Sequence, residues 1–297
     1  MPNAQKKSLD YSGTLDLDLD LGKIESSLLI FGGAYSNLQA TQAIKNVAEH
    51  HKISPENCIC TGDIVAYCAQ PRETVALIRD WGIHCLLGNC EESFANNGDD
   101  CGCGFDSGSQ CDLLSDQWFS YANTQLTIED RQWFSSLPRH IHFQINGIAT
   151  LVVHGSVSSI NQFIFSSSNT SIFAEEFALA NADMVIGGHS GIPFTKIIDD
   201  KTWHNSGAIG MPANDGTCHT WYSIISPKED TISIEHKKLT YSYHDTFNAM
   251  KDNDMNNEYA KCLLNGLWPS TDILLEKEKE ESGIALKESV YSIRNII

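Results

Sequence analysis

Five short apolar runs, each closing on a glycine-bearing or polar turn, constrain this chain more than any other feature. They are "SLLIFGG" (27–33), "CICTGD" (58–63), "HCLLGN" (84–89), "IATLVVHG" (148–155) and "ADMVIGGHSG" (182–191). Such runs, bounded by turn residues, predict buried strands. Between the first three lie stretches of helical period: "LQATQAIKNVAEHH", and "PRETVALIRDWG", which opens on proline and closes on glycine. Strands alternating with helices predict an α/β fold. Later segments, "TWYSIIS" and "TISIEHKKLTYS", read as antiparallel strands, so the expected architecture is mixed, with two packed sheets.

At 297 residues the chain suits one large α/β unit with a substantial core. Residues 1–24, with "LDLDLDLG", read as an acidic N-terminal arm or an edge strand. The main domain is expected over 25–242. From Tyr243 the chain turns helical ("DTFNAM", "EYAKCLLNGLW") and then charged ("LLEKEKEESG"), a C-terminal extension over 243–297 of the same domain. The start of the sequence lacks a basic region followed by an apolar core, and no run approaches a membrane span, so the expected location is cytoplasmic, away from membranes. Lys and Arg number 20 against 38 Asp and Glu, a net charge of −18. That balance opposes wrapping of nucleic acid, while a local site can still take a small anion. The oligomeric state is not legible.

In α/β sheets the carboxyl ends of strands converge on one edge, where ligands bind. Asp63 in "TGDIV", Asn89, Cys90 and Glu91 in "LLGNCEE", His154 in "LVVHGS" and His189 in "IGGHSG" all stand at such ends. Two imidazoles, a carboxylate and an amide are thereby predicted to meet. A lone histidine after a strand is more often a hydrogen-bonded structural residue; four polar residues placed alike favour a site. The ten cysteines are expected as thiols or metal ligands rather than a disulfide framework. Cys90, Cys101, Cys103 and Cys111 offer enough sulfur for a tetrahedral zinc but lack paired CxxC spacing, so reduced thiols in a glycine-rich loop are the expected state.

In their order, "GDIVAYCAQP", "GNCEE", "VVHGS", "GGHSGIPF" and "HNSGAIGMP", from residue 62 to 212, resemble the motifs GDxx, GNH plus an acid, HG, GHxH and NPGS of the calcineurin-like metallophosphoesterases. The similarity is to the small bacterial and archaeal phosphodiesterase branch and spans most of 25–240, with the opening DxH motif missing. It implies a four-layer α/β/β/α sandwich of two mixed sheets with the site between them. It also implies two ligand sets. One metal of the family uses positions occupied here by Gly33, Tyr35, Asp63 and Gly191, of which only the aspartate is a ligand. The other uses Asp63, Asn89, His154 and His189, all present.

The losses fall on one half-site, which predicts a single divalent ion, Fe, Zn or Mn, at a mononuclear site, with the second position empty. A single ion still acidifies water and polarises a phosphoryl oxygen. Catalytic candidates are Asn89; Cys90, at the place of the family's GNH histidine; and His204, with Glu91 as another replacement acid. Substrate-binding candidates are Gly33, Tyr35, Asn37 and Asn205: the glycines allow close backbone approach, and a helix beginning near Ser36 or Asn37 would offer free N–H groups to an anion. An ordinary strand-to-helix turn with a packed tyrosine reads equally well. Thiolates from Cys90 and the "CGCG" loop could rebuild a softer second metal site. The expected function is hydrolysis of a small phosphodiester or phosphomonoester; the alternatives are a non-catalytic binding scaffold and redox chemistry at mononuclear iron.

Overall fold

The computed structural model describes residues 6–9, 15–255 and 257–294. Residues 1–5 and 10–14 of the expected acidic arm, and 256 and 295–297 of the C-terminal extension, lie outside the described residues.

The first half of the chain contains β1 (Lys6–Leu9), β2 (Leu15–Ile24), β3 (Leu28–Phe31), α1 (Leu38–His51), β4 (Cys58–Cys60), α2 (Pro71–Trp81) and β5 (His84–Cys85). There follow α3 (Asn89–Ala95), α4 (Gln110–Gln125), α5 (Ile128–Phe134), β6 (His140–Ile145), β7 (Ile148–Val152) and α6 (Thr170–Ala180). The second half adds β8 (Met184–Gly187), β9 (Phe194–Ile198), β10 (Lys201–Asn205), β11 (Thr220–Pro227) and β12 (Thr231–Leu239). Helices α7 (Tyr243–Asp252), α8 (Glu258–Asn265) and α9 (Glu276–Glu280) and strand β13 (Ser289–Arg294) close the chain.

The strands form two mixed sheets. One runs β1-β2-β6-β7-β8-β10-β9, the other β13-β12-β11-β3-β4-β5. Strands β3, β4 and β5 are parallel, and β11 returns antiparallel to β3, which makes the second sheet mixed. In the first, β7, β8 and β10 are parallel neighbours while β6 and β9 run against them.

Alternation along the strands sorts side chains into three apolar layers. Leu28 and Ile30 of β3 face the other sheet, meeting Ile141, Val152, Met184 and Ile186. Leu29 and Phe31, one residue out of phase, face the helices and meet Ile44, Ile78, Trp118 and Leu263. On the far side, Phe173 and Phe177 of α6 cover Leu151, Val185 and Trp203. The result is helices, sheet, sheet, helix, the expected four-layer sandwich. The "LDLDLDLG" stretch is β2, with Leu19 and Leu21 packed against the inter-sheet core.

Local chemistry sets the helix ends that matter for the site. Asn37 caps α1, its side-chain oxygen accepting from the Ala40 N–H at 3.0 Å. Pro71 opens α2 and Gly82 ends it in a left-handed conformation. Strand β5 stops at Cys85, shorter than the apolar run implied, because the chain must turn at Gly88 to start α3 on Asn89.

Candidate metal centre

The carboxyl ends of β4, β7 and β8 deliver Asp63, His154 and His189 to one point. One ligand atom from each lies within 4.8 Å of the others, and among the described residues this is the group of His, Cys, Asp and Glu able to hold a metal. Asp63 Oδ2 stands 3.3 Å from His154 Nε2 and 3.9 Å from His189 Nδ1. All three side chains are nearly solvent-free, at 6%, 2% and 3% exposed.

Each group is held from behind. His154 Nδ1 meets the Thr61 carbonyl at 2.6 Å; a carbonyl only accepts, so Nδ1 carries a proton and Nε2 is the ring atom turned towards Asp63. Asn89 sets its Oδ1 3.0 Å from that same Nε2. The amide cannot turn round, because its nitrogen donates to the Cys101 carbonyl at 2.9 Å. The Nε2 atom and two oxygens thus face one another, an arrangement that needs a proton or a cation between them. Among the described residues His189 has no hydrogen-bond partner at either ring nitrogen, though both are buried. Phe163 stacks on its ring with centroids 4.1 Å apart, fixing its plane. Nitrogen and oxygen donors of this kind fit a borderline divalent ion.

Electrostatics follow from burial and pairing. Burial raises the Asp63 carboxyl, but the two imidazoles, His154 first, outweigh it and hold the group well below the usual carboxylate range. For His154, burial opposes protonation and the Asp63 carboxylate more than offsets it, so its pKa rises. For His189 burial prevails, and its pKa is lowered. Burial, then the charges of Asp63 and Glu91, push the Cys90 thiol well above its ordinary value.

The backbone is strained at this point. Tyr35, Asp63, Tyr67 and His189 all adopt left-handed conformations, with φ of 50°, 56°, 43° and 53°, and all four line one cavity. Non-glycine residues rarely do so, and such strain gathers at functional sites. Glu91 secures the Asp63 turn, accepting from the Asp63, Val65 and Gly88 N–H groups at 2.8, 3.0 and 3.2 Å. Burial, with Asp63 adding, raises Glu91 to about 7. Both of its oxygens serve the loop.

Other residues singled out by sequence divide by environment. Cys90 donates its N–H to Asp63 Oδ1 at 3.3 Å and is buried beside the metal group. Asn205 donates to the Gly188 carbonyl and Ser190 Oγ, at 2.7 and 2.9 Å, bracing the loop that bears His189. His204, next to it on β10, faces the opposite side and joins Thr195 and His236 instead, away from the metal group. Asn37 gives its amide to the Gly210 carbonyl and the Tyr241 hydroxyl, and its oxygen accepts from Ala40 and Thr246. The N–H groups expected to be free for an anion are taken within the protein: Gly33 donates to Gly62, Tyr35 to Asp63 and Ser36 to Ile64. The cysteine loop also departs from expectation. Cys101 and Cys103 form a disulfide rather than standing as free thiols.

The Tyr35 ring lies across the positions the resemblance assigned to a second metal. A Cβ on Gly33 would collide with that ring, and one on Gly191 would sit 3.7 Å from its hydroxyl. Burial, with the Asp63 charge adding, keeps the phenol protonated far above its ordinary 10.0.

The sequence model of the calcineurin-like phosphoesterase superfamily domain matches residues 36–253. The chain belongs to that superfamily. An uncharacterized protein of Methanocaldococcus jannaschii is 27% identical over 228 residues, 71% of this chain and 87% of the relative. Two solved structures share the fold. A metallophosphoesterase from Sphaerobacter thermophilus superposes with a TM-score of 0.62 at 23% identity, covering 82% of this chain and 100% of that one. A hypothetical protein from Pyrococcus horikoshii OT3 gives 0.66 at 16% identity, covering 82% and 99%.

Sequence reasoning missed the aromatic residues that share the cavity with Asp63 and His189: Tyr67, Phe105, Phe163, Tyr259 and Trp268. One signal existed. "GLWPS" puts a tryptophan and a proline just after the left-handed Gly266 that ends α8, a rigid place for a large side chain.

Proposed function

We propose that the chain is a metal-dependent phosphoesterase holding one divalent ion, Fe, Zn or Mn, and hydrolysing a small phosphodiester or phosphomonoester. The observation that carries this is the convergence of Asp63, Asn89, His154 and His189, with an unpartnered buried imidazole among them. These four residues would hold the ion. When bound, it polarises a phosphoryl oxygen and lowers the pKa of water from about 15.7 towards about 7.

The chain's own groups do the rest. Thr61 and Cys101 fix the orientations of His154 and Asn89, so the ligand set is built before any ion arrives. Phe163 shields His189 from water. Tyr35 holds its proton at Oη and donates it as a hydrogen bond to an anionic oxygen, taking over in part the charge stabilisation a second ion would give. Its ring fills the second berth, which supports a mononuclear site.

One observation favours the scaffold alternative: Cys90, at the place of the family's catalytic histidine, is a buried neutral thiol and a weak donor. Metal analysis of protein purified without added metal, paired with turnover of bis(p-nitrophenyl) phosphate, separates the two. A stoichiometry near one with turnover, both abolished in His189→Ala, is the expected result. Metal without turnover supports the scaffold, and normal metal binding by His189→Ala overturns the site.

A further inference from the structure

The metal group forms one end of a partly enclosed cavity of about 60 Å³ that opens to solvent. The rings of Tyr35, Tyr67, Phe105, Phe163, Tyr259 and Trp268 form part of its wall. Tyr67 packs edge-on against Tyr35 at 4.8 Å and tilts over Tyr259 at 4.5 Å. Phe105 stacks on Phe163 at 6.2 Å, and Phe163 on His189. Trp268 is pinned by its polar edge: the indole N–H donates to the Pro212 carbonyl at 2.7 Å, and its backbone N–H to Asn214 Oδ1 at 2.8 Å. Phe105, Phe163 and Trp268 remain only half-buried, so apolar surface beside the metal group is left uncovered.

Charge narrows what belongs there. Among the described residues no Lys or Arg lines the cavity, and Asp63 is the one lining carboxylate. With a divalent ion beside Asp63, the groups lining the cavity sum to a single positive charge, Glu91 lying behind the Asp63 turn rather than in the wall. That matches the one negative charge of a phosphodiester. A phosphomonoester brings nearly two at neutral pH, since its second pKa is about 6, and a polyphosphate brings more. The excess would enter a cation-free, low-dielectric wall in a chain of net charge −18.

Part of the wall lies outside the family match. Tyr259, Trp268 and Ile273 lie beyond residue 253, where the family match ends, on α8 and the loop that follows it. We propose that this C-terminal segment makes the cavity a receptacle for a flat aromatic ester group of a phosphodiester monoanion, with the phosphate at the Asp63–His189 end. The proposal rests on the phosphoesterase reading and adds the substrate class. Rings burying well over 100 Å² and stacking on Tyr or Trp supply affinity without charge.

The test is calorimetric binding of three probes to metal-loaded protein. Methyl phenyl phosphate has a ring and one charge, dimethyl phosphate has one charge and no ring, and phenyl phosphate has a ring and nearly two charges. Methyl phenyl phosphate should bind tightest, about tenfold or more above dimethyl phosphate. Trp268→Ala should erase most of that advantage and Trp268→Phe should keep it. Ile273→Trp, which fills the cavity without opening it, should block the aryl ester and spare dimethyl phosphate. Metal content should stay constant throughout. Equal binding of the two diesters, tighter binding of phenyl phosphate, or an aryl preference that survives both Trp268→Ala and Ile273→Trp overturns the proposal. Should these affinities hold while no ester is hydrolysed, the hydrolytic reading fails and the receptacle stands. Turnover of methyl p-nitrophenyl phosphate with a KM unchanged in both Trp268→Ala and Ile273→Trp leaves hydrolysis standing and removes the receptacle.

Discussion

A Cβ at position 33 would stand 2.6 and 2.7 Å from the two Cε carbons of Tyr35, and closer still to its Cζ. The ring cannot simply swing aside, since it is buried and packed against Tyr67. Gly33→Asp is therefore expected to destabilise the protein by about 3 kcal/mol or more, from overpacking together with a φ of +43°. In a Tyr35→Ala background the same change should cost only about 1 kcal/mol, the backbone share alone. Urea denaturation of the four proteins measures the coupling, and additive effects would refute the interlock. At this scale the meeting of Asp63, Asn89, His154 and His189 at one point was legible because each directly follows an apolar run. The fate of Gly33 was not, since nothing local to "GGAYSN" says that the tyrosine folds back over its own glycine. Asn37 and His204 were misleading for a related reason: their partners, Thr246 and His236, are remote in sequence.

Among the elements, α1 shows how a polar residue near a site can serve structure. Asn37 caps the helix and also ties it to Thr246 in α7, to Tyr241 and to the loop at Gly210. Replacing it by alanine removes the cap and leaves buried partners unmatched, so a loss of about 2 kcal/mol is expected in urea unfolding. KM for a phosphodiester should be unchanged; a raised KM at unaltered stability would restore Asn37 to the substrate-binding set. Helices α1 and α2 were legible nearly to the residue, since both combine helical period with end signals. Strands β6, β9, β10 and β13 were not. In β6 the outward positions are His140, His142 and Gln144, so its alternation stands out only once Ile141 and Phe143 are known to face the core. The reach of α8 and its following loop over the metal group was invisible too, because "EYAKCLLNGLW" specifies a helix and says nothing of where it docks.

For the molecule as a whole, stability against acid depends on how the sheets are joined. His204 on β10 and His236 on β12 belong to different sheets, meet at a tilt with ring centroids 4.8 Å apart, and share Thr195 Oγ1 at 2.9 and 2.8 Å. Burial lowers both imidazoles, His236 from an ordinary 6.5 to about 4. The unfolded chain therefore takes up a proton that the folded one refuses. Stability from this source is complete above pH 6.5 and is lost as pH falls through about 4. The loss for His236 is about 3 kcal/mol. His236→Gln should flatten the unfolding free energy between pH 6.5 and 4, and an unchanged slope would assign the acid sensitivity elsewhere. The two-sheet sandwich was legible from the alternation of runs and turns; this bridge was not, because each histidine lies in a separate strand. The seating of Tyr35 against Gly33 finally bears on the history open to such a chain. A carboxylate cannot re-enter position 33 until the ring has gone, and removing the ring first empties a packed space. Any lineage carrying both residues stands behind a ratchet, with each single backward step less stable than where it started.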